Sequence, residues 1–228
     1  PPLISKRIFK FTLKRAKKIK YFSVTKKLSL DLENYFGLDE GSIKVLHDAV
    51  DLEDYSGKPK IKSTSGMPVL TYCGSLSYEK GTDLLLETAT NLEGFQIIIV
   101  GGLGAEVKIY SEKAKKMNID NIRFIGQVLP SEVPNYLNSS DILLLPSSAK
   151  SKKSREYTSA MKLFEYLASG IPIIASNIPS NTEILTGDKN CILFNPDDSD
   201  SLVREIKKLW QNYDLREKIS HNSFELSK

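Results

Sequence analysis

The stretch that decides the fold runs from Met161 to Ser176 and reads MKLFEYLASGIPIIAS. Leu163, Phe164 and Leu167 recur at helical spacing, so the first half of the stretch predicts an amphipathic helix. Gly170 follows, at a place where left-handed backbone ends many helices. The apolar run after it predicts a short buried strand. The stretch therefore predicts a helix that leads directly into a strand.

A charged pair interrupts the apolar pattern of this helix. Lys162 and Glu165 lie three residues apart, so they share a face that is rotated away from the apolar stripe. Thr158 lies a further turn back, near the same face. An ammonium and a carboxylate on one face could hold an anion and a polyol. Spacing alone favours the simpler interpretation, which is an ion pair on the helix surface.

Apolar runs and helical patterns alternate along the rest of the chain. We predict strands at 69–73, 95–100, 122–125, 142–145 and 191–194, and helices at 82–89, 105–117, after Ser131 and at 199–212. Thr82 is the expected cap of the first of these helices. Parallel strands need crossover connections, which cover both faces of the sheet. The fold class is therefore α/β, with a Rossmann-like parallel sheet and helices on both faces.

The amino-terminal part of the chain has a separate pattern. A strand over Tyr21–Val24, a helix over Lys26–Phe36 and a strand over Ile43–Leu46 form one β-α-β unit. The polar segment Lys58–Gly66 is rich in Lys, Ser, Pro and Gly, which is typical of a linker. We therefore divide the chain into residues 1–57 and residues 58–228.

Composition is that of an ordinary globular protein, with 40% hydrophobic and 26% charged residues among 228. No apolar run approaches the roughly 20 residues that span a bilayer. Cys73 and Cys191 lie in apolar runs, so we expect buried free thiols, which weakly favours a reducing, cytoplasmic location. His47 and His221 lack the spacing of zinc ligands. No metal site is predicted.

Basic residues dominate the amino-terminal block, from Lys6 to Lys27, ahead of the first acidic residue, Asp31. The block has some helical amphipathicity and could suit an anionic membrane surface, as in a peripheral protein of the inner membrane face. A helix packed on another domain explains the same pattern. Nucleic-acid binding is not expected, because no recognised motif accompanies the charge.

Glycine-rich segments follow the first two strands of the predicted sheet. Ligands of open α/β sheets bind beyond the carboxyl ends of the strands, so these segments are candidates for the site. Residues 74–81 would let the backbone approach a ligand, and Lys80 there supplies positive charge. Gly101 and Gly102 do not belong to a G-x-G-x-x-G pattern, which disfavours a dinucleotide cofactor. Ordinary strand-to-helix turns would also explain both segments.

The segment Lys162–Pro172 resembles the donor-binding signature of the GT-B glycosyltransferases of family 4, the group 1 glycosyltransferases, in the version K-L-F-E-Y-x-A-x-G-x-P. The resemblance runs from about Ile43 to Glu225. It implies that Glu165 holds the ribose hydroxyls of a nucleotide sugar. It also implies that residues 58–228 form the carboxyl-terminal half of a GT-B fold, preceded by a β-α-β remnant of the acceptor domain.

Other segments extend the resemblance. Residues 74–81 resemble G-R-L-x-x-x-K-G, in which Arg and Lys grip the diphosphate; Ser75 replaces that Arg, and we hypothesise that Lys162 neutralises charge in its place. Residues 124–127 resemble F-x-G-x-V, whose backbone meets the base. The catalytic residues implied are Lys80, Lys162 and Glu165. The donor-binding residues implied are Gly74, Ser75, Lys80, Gly101, Gly102, Ile125, Gly126, Tyr157, Thr158, Ser159, Ala160, Met161, Lys162, Glu165 and Glu183.

The sequence departs from the family at two places. Many members carry two glutamates with seven residues between them, and the first of these positions is Tyr157, with Glu156 one residue out of register. The donor sugar, and the choice between UDP and GDP, therefore stay open. His47–Asp51 stands where the family has P-N-G-V-D, and only Val50 and Asp51 match.

The function that the resemblance implies is transfer of a hexose from a nucleotide-diphosphate sugar to a glycan or lipid-linked acceptor. Retention of configuration, independence of metal cofactors and a role in surface polysaccharide biosynthesis are implied with it. Because most of an acceptor domain is absent from the sequence, we expect a donor-binding fragment or half of a split enzyme. The alternatives are a noncatalytic nucleotide-sugar-binding module and another GT-B enzyme such as a sugar epimerase.

Overall fold

The computed structural model describes residues 7–8, 10–12, 20–55 and 66–228. All of the predicted linker except Gly66, and residues 6, 9 and 13–19 of the basic block, lie outside these residues. Among the helices of the described residues, none is long and apolar enough to cross a bilayer.

The amino-terminal unit, residues 20–55, contains the predicted β-α-β arrangement. Strand β1 (Tyr21–Ser23) pairs in parallel with β2 (Ile43–Val45), and helix α1 (Lys26–Phe36) connects them. The Thr25 side chain caps α1 by accepting a hydrogen bond from the Leu28 N–H at 3.2 Å. The buried Glu33 carboxylate accepts from the Ile43 N–H at 2.8 Å. Side chains from within this unit therefore satisfy backbone N–H groups at its helix start and at β2.

The large domain, residues 66–228, contains a parallel sheet of six strands in the order β5-β4-β3-β6-β7-β8. This confirms the predicted fold class. The strands are β3 (Val69–Cys73), β4 (Gln96–Val100), β5 (Ile122–Gly126), β6 (Ile142–Leu145), β7 (Ile173–Ser176) and β8 (Ile192–Phe194). The helices are α2 (Thr82–Thr90), α3 (Gly104–Lys116), α4 (Val133–Asn138), α5 (Met161–Ser169), α6 (Pro179–Thr182), α7 (Ser199–Gln211) and α8 (Tyr213–Leu226).

Two apolar clusters cover the two faces of the sheet. One cluster packs alternate strand residues such as Leu70 and Ile97 against α2, α3 and α7. The other packs the intervening residues, such as Leu143 and Leu145, against α4 and α5. Successive side chains of a strand point to opposite faces, so strands that are buried on both sides read as continuous apolar runs.

Two local predictions were wrong, and one helix was missed. Helix α5 begins only at Met161, and Thr158 before it has extended backbone, so Thr158 is not a further turn of that helix. Gly81, in the left-handed conformation, caps α2, while the Thr82 hydroxyl accepts from the Ser77 N–H at 3.1 Å. Helix α8 was not predicted; it packs on α5. Gly170 ends α5 as expected, and a Cβ added there would lie 3.5 Å from the Phe224 Cβ of α8.

The order of the strands reverses at β3. The chain runs outward from β3 to β4 and β5 on one side and returns to β6 on the other, which opens a crevice at the carboxyl ends. The β3–β6 register covers only Leu70 with Ile142 and Thr71 with Leu143. Beyond these pairs, the buried Tyr166 hydroxyl accepts from the Cys73 N–H at 2.8 Å and donates to the Leu144 carbonyl at 3.3 Å. A side chain of α5 thus bridges the two diverging strands.

We expect Tyr166→Phe to lower the free energy of unfolding by about 2 kcal/mol, because it leaves two buried backbone groups unpaired. Tyr110→Phe is the matched control. It removes a hydroxyl that donates to Asp83, but Asp83 keeps its 2.6 Å bond from Lys113, and the expected loss is below about 1 kcal/mol. Urea unfolding of both variants measures the difference. Equal losses of unfolding free energy in the two variants would show that the Tyr166 bridge stabilises the fold no more than an ordinary hydrogen bond does.

Candidate functional site

A cleft of about 520 Å³ opens at the carboxyl ends of β3 and β4, beside the amino-terminal end of α5. It lies where the order of the strands reverses, as expected for a ligand site in this class of sheet. Its lining consists of Cys73, Gly74, Ser75, Lys80, Val100, Gly101, Gly102, Leu103, Glu106, Gln127, Val128, Val133, Ser159, Ala160, Met161, Lys162 and Glu165. Most of the residues that the sequence singled out, including Lys80, Lys162 and Glu165, therefore meet in one cleft.

Five of the predicted donor-binding residues lie outside the cleft lining: Ile125, Gly126, Tyr157, Thr158 and Glu183. Ile125 and Gly126 close the end of β5, where the Gly126 carbonyl accepts from the Gly101 N–H at 2.7 Å. The next two residues, Gln127 and Val128, line the cleft instead. The Thr158 hydroxyl donates to the Lys153 carbonyl at 3.0 Å.

Tyr157 and Glu183 contact the amino-terminal unit. The Tyr157 hydroxyl donates to the Asp31 carboxylate on α1. Glu183 accepts from the Lys26 N–H at 2.7 Å and lies 3.6 Å from His47 Nε2. These two side chains tie the small unit to the large domain, and their role as donor ligands stays a prediction.

The Lys162 ammonium is directed at Tyr72 on β3. Its Nζ donates to the Tyr72 hydroxyl at 2.7 Å and lies 4.0 Å from the centroid of the Tyr72 ring. Within the described part of the chain Lys162 and Glu165 form no ion pair, so the surface salt bridge that their spacing suggested is not present. Lys162 is therefore a cation of the cleft wall.

Burial is the main cause that lowers the pKa of Lys162 to about 7, and repulsion from the Lys80 ammonium adds to it. Burial also lowers the pKa of Lys80. A ligand with negative charge would relieve both effects, since it returns to the two ammonium groups the favourable interactions that they lose with water. The electrostatics of this wall thus favour an anion.

Two further groups are available to an anion. Ser159 Oγ is buried and has no hydrogen-bond partner among the described residues. It precedes α5, whose Ala160 cap makes no side-chain hydrogen bond, and the first N–H groups of a helix carry partial positive charge. A buried hydroxyl without a partner is uncommon in folded proteins and suggests a ligand that completes it.

Glu165 lies on the next turn of α5 and is partly buried. Burial raises the pKa of its carboxyl, while a hydrogen bond from the Tyr55 hydroxyl opposes this rise. Tyr55 is buried and ends a short helical turn, Leu52–Asp54, in the amino-terminal unit. The sequence reasoning missed both Tyr55 and Tyr72. For Tyr72, the signal was a tyrosine in an otherwise apolar buried strand.

No group of three or more His, Cys, Asp or Glu side chains in the described ranges could hold a metal ion. Catalysis without a metal ion stays a prediction.

Residues 56–226 match the family model described as "Glycosyl transferases group 1". The sequence is similar to O-antigen chain mannosyltransferase C of Escherichia coli, with 24% identity over 190 residues that cover 82% of this chain and 47% of that protein. It is also similar to 2-deoxystreptamine N-acetyl-D-glucosaminyltransferase of Niallia circulans, with 27% identity over 69% of this chain and 40% of that protein. The chain thus spans less than half the length of these two relatives.

Two solved structures share the fold. The glycosyltransferase of Rickettsia africae ESF-5 superposes with a TM-score of 0.81 at 19% identity and covers 100% of this chain and 62% of that one. Anabaena Alr3699/HepE, solved in complex with UDP, gives a TM-score of 0.75 at 17% identity and covers 98% and 63%.

We expect Lys162 to titrate near neutral pH, with a pKa of about 7. The titration of its Cε in NMR spectra of ¹³C-labelled protein measures this value. Lys80→Met removes a neighbouring positive charge and should raise the pKa of Lys162. Lys113→Met, on an exposed lysine that pairs with Asp83, is the control and should leave it unchanged. A pKa of Lys162 that does not respond to loss of Lys80 would contradict this account of the cleft.

Proposed function

The chain belongs to the group 1 glycosyltransferase family, and we propose that its cleft binds the nucleotide-diphosphate sugar donor of a hexosyltransferase. The observation that carries the proposal is the pair Lys80 and Lys162, which share one cleft with Glu165 at the reversal of strand order. A diphosphate fits the two cations, and a ribose fits the carboxylate.

The diphosphate would lie between Lys80, Lys162, the Ser159 hydroxyl and the first N–H groups of α5. When the bond between the sugar and the phosphate breaks, its electron pair stays on the phosphate oxygen, so negative charge grows on the leaving diphosphate. Cations and N–H groups that are already in place stabilise this charge without reorganisation. We propose that the chain's own lysines perform this task without a metal ion.

The nucleoside would extend from the diphosphate toward Glu165 and residues 127–128. The Tyr55 hydroxyl donates one hydrogen bond to the Glu165 carboxylate. The remaining acceptor sites of the carboxylate are available to the ribose hydroxyls. Anabaena Alr3699/HepE was solved with UDP and with UDP-glucose, which supports a uridine nucleotide as the first donor to test. Retention of configuration belongs to the proposal on the basis of the family resemblance.

The acceptor is proposed to be a growing glycan or a lipid-linked sugar of a surface polysaccharide. The names of two Escherichia coli relatives, O-antigen chain mannosyltransferase C and O-antigen biosynthesis glycosyltransferase WclY, support this class. We further propose a cytoplasmic site of action, at the inner face of a membrane. Activity would depend on regions of the relatives that this chain does not cover.

The second candidate is a noncatalytic module that only binds the donor. The observation that favours it is Tyr157, which stands at the position of the family's first glutamate.

Calorimetry with UDP-, GDP- and ADP-sugars tests the proposed donor class. We expect the chain to bind one nucleotide class with a micromolar dissociation constant, and EDTA to leave the affinity unchanged. Absence of binding by every nucleotide sugar would overturn the proposal. Loss of binding in EDTA would overturn only the part that concerns metal independence.

Glu165→Gln tests the ribose contact separately. We expect affinity for the donor to fall roughly tenfold or more, because the variant loses a charged acceptor of hydrogen bonds. The loss should be smaller for the 2′-deoxyribonucleotide, which offers one hydroxyl fewer. Glu112→Gln, on an exposed glutamate of α3, is the control. If ribo- and deoxyribonucleotides lose affinity equally, Glu165 does not contact the 2′-hydroxyl.

A further inference from the structure

We propose that Tyr72 is the positioning residue of Lys162, and that it holds the ammonium at the carboxyl end of β3, where the diphosphate is to bind. The inference rests on the proposed function, and it assigns a task to a buried hydroxyl that the family resemblance leaves without one.

The direction of each hydrogen bond at Tyr72 is fixed. A tyrosine hydroxyl has one proton, and that of Tyr72 goes to the Ser75 carbonyl at 2.7 Å. Its oxygen is therefore left to accept from the Lys162 ammonium, also at 2.7 Å. Since Tyr72 is 0% exposed and packs in the core cluster of β3 and β4, its ring cannot follow a mobile lysine. The lysine must instead conform to the tyrosine.

Two residues leave little room around the Lys162 ammonium. The ring of Tyr72 lies 4.0 Å from Nζ, close enough for a cation–π attraction. The second neighbour is Gly74, where an added Cβ would lie only 2.6 Å from Nζ, 3.0 Å from Cε and 3.1 Å from the Tyr72 hydroxyl oxygen. The glycine leaves the space that the ammonium fills. Together Tyr72 and Gly74 define one position for the charge.

The charges around Lys162 set how this position responds to pH. Burial and Lys80 disfavour the ammonium, whereas the Glu165 carboxylate on α5 favours it. Burial raises the pKa of the neighbouring Cys73 thiol to about 12, so Cys73 adds no charge near neutral pH. Tyr72 adds a hydrogen-bond acceptor and a ring face, both of which stabilise the charged form. A bound diphosphate raises the pKa of Lys162, so binding takes up a proton. Donor affinity should therefore be highest below the free pKa of about 7 and fall as pH rises above it.

Tyr72→Phe keeps the ring and removes only the hydroxyl. We expect affinity for UDP, or for GDP as the second probe, to fall about tenfold near neutral pH, since a hydrogen bond to a charged group is lost. The decline of affinity with rising pH should begin at a lower pH. The Cε titration of Lys162 should shift to lower pH in the same variant without ligand. Tyr110→Phe, another buried tyrosine in the same apolar cluster, should change none of these quantities.

A double-mutant cycle separates positioning from a general structural effect. In a Lys162→Met background, Tyr72→Phe should cost no further affinity, because its effect passes through the ammonium. An equal loss in both backgrounds would overturn the inference. Unchanged affinity and titration in Tyr72→Phe, when Lys162→Met alone weakens binding, would also overturn it and leave the proposed function standing. Unchanged affinity in Lys162→Met would refute the proposed contact of Lys162 with the phosphate. It would also refute the positioning role of Tyr72, which depends on that contact.

Gly74→Ala provides a second variant should Tyr72→Phe fail to fold. The added methyl group would lie 2.6 Å from Lys162 Nζ and 3.1 Å from the Tyr72 hydroxyl oxygen, so affinity should fall here as well. Gly74 has a φ of +148°, so an alanine there also strains the backbone. The part of the loss that comes from displacing Lys162 should disappear in the Lys162→Met background, whereas the part that comes from strain should remain. Unchanged affinity in Gly74→Ala would show that the position of Lys162 does not matter.

Discussion

The Tyr166 hydroxyl is the contact on which the geometry of the site depends. Strands β3 and β6 share a ladder over two residue pairs and then diverge, because the chain leaves them in opposite directions. Tyr166 satisfies the Cys73 N–H and the Leu144 carbonyl that this divergence leaves unpaired. The contact fixes α5 against both strands. Lys162 and Glu165 belong to the same first turns of α5, so their positions over the crevice follow from it.

Most of the fold could be predicted from sequence periodicity, since strands that are buried on both faces appear as apolar runs between helical patterns. The places where prediction failed have local causes. Helix α5 lacks a Ser, Thr, Asp or Asn at its Ala160 cap, so nothing marked its start, and the helix was extended back to Thr158. Helix α8 is largely polar and buries only Ile219 and Ser223, so its apolar spacing is weak.

Some residues of the candidate site could likewise be predicted from the sequence, and others could not. Gly74, Gly101 and Gly102, which follow a strand, and Lys80 in the loop after β3 could be found, because their place in the chain predicts their place at the end of the sheet. Tyr72 could not, since its task depends on Lys162, which is 90 residues away in the sequence. Tyr157 and Glu183 were assigned to the donor from the resemblance, yet they contact Asp31 and Lys26, which are 126 and 157 residues distant. No periodicity encodes such pairs.

Ser75 stands where the family pattern has an arginine, and this difference changes how the charge of the proposed phosphate site depends on pH. An arginine keeps its charge at every physiological pH and presents a planar fork to a diphosphate. A lysine on a buried helix turn is a point charge whose ionisation depends on its surroundings. With Tyr72 to orient it and Lys80 to repel it, Lys162 lies at the boundary between its two protonation states. An arginine would make the proposed binding of a diphosphate independent of pH, whereas Lys162, with a pKa of about 7, would couple that binding to the uptake of a proton.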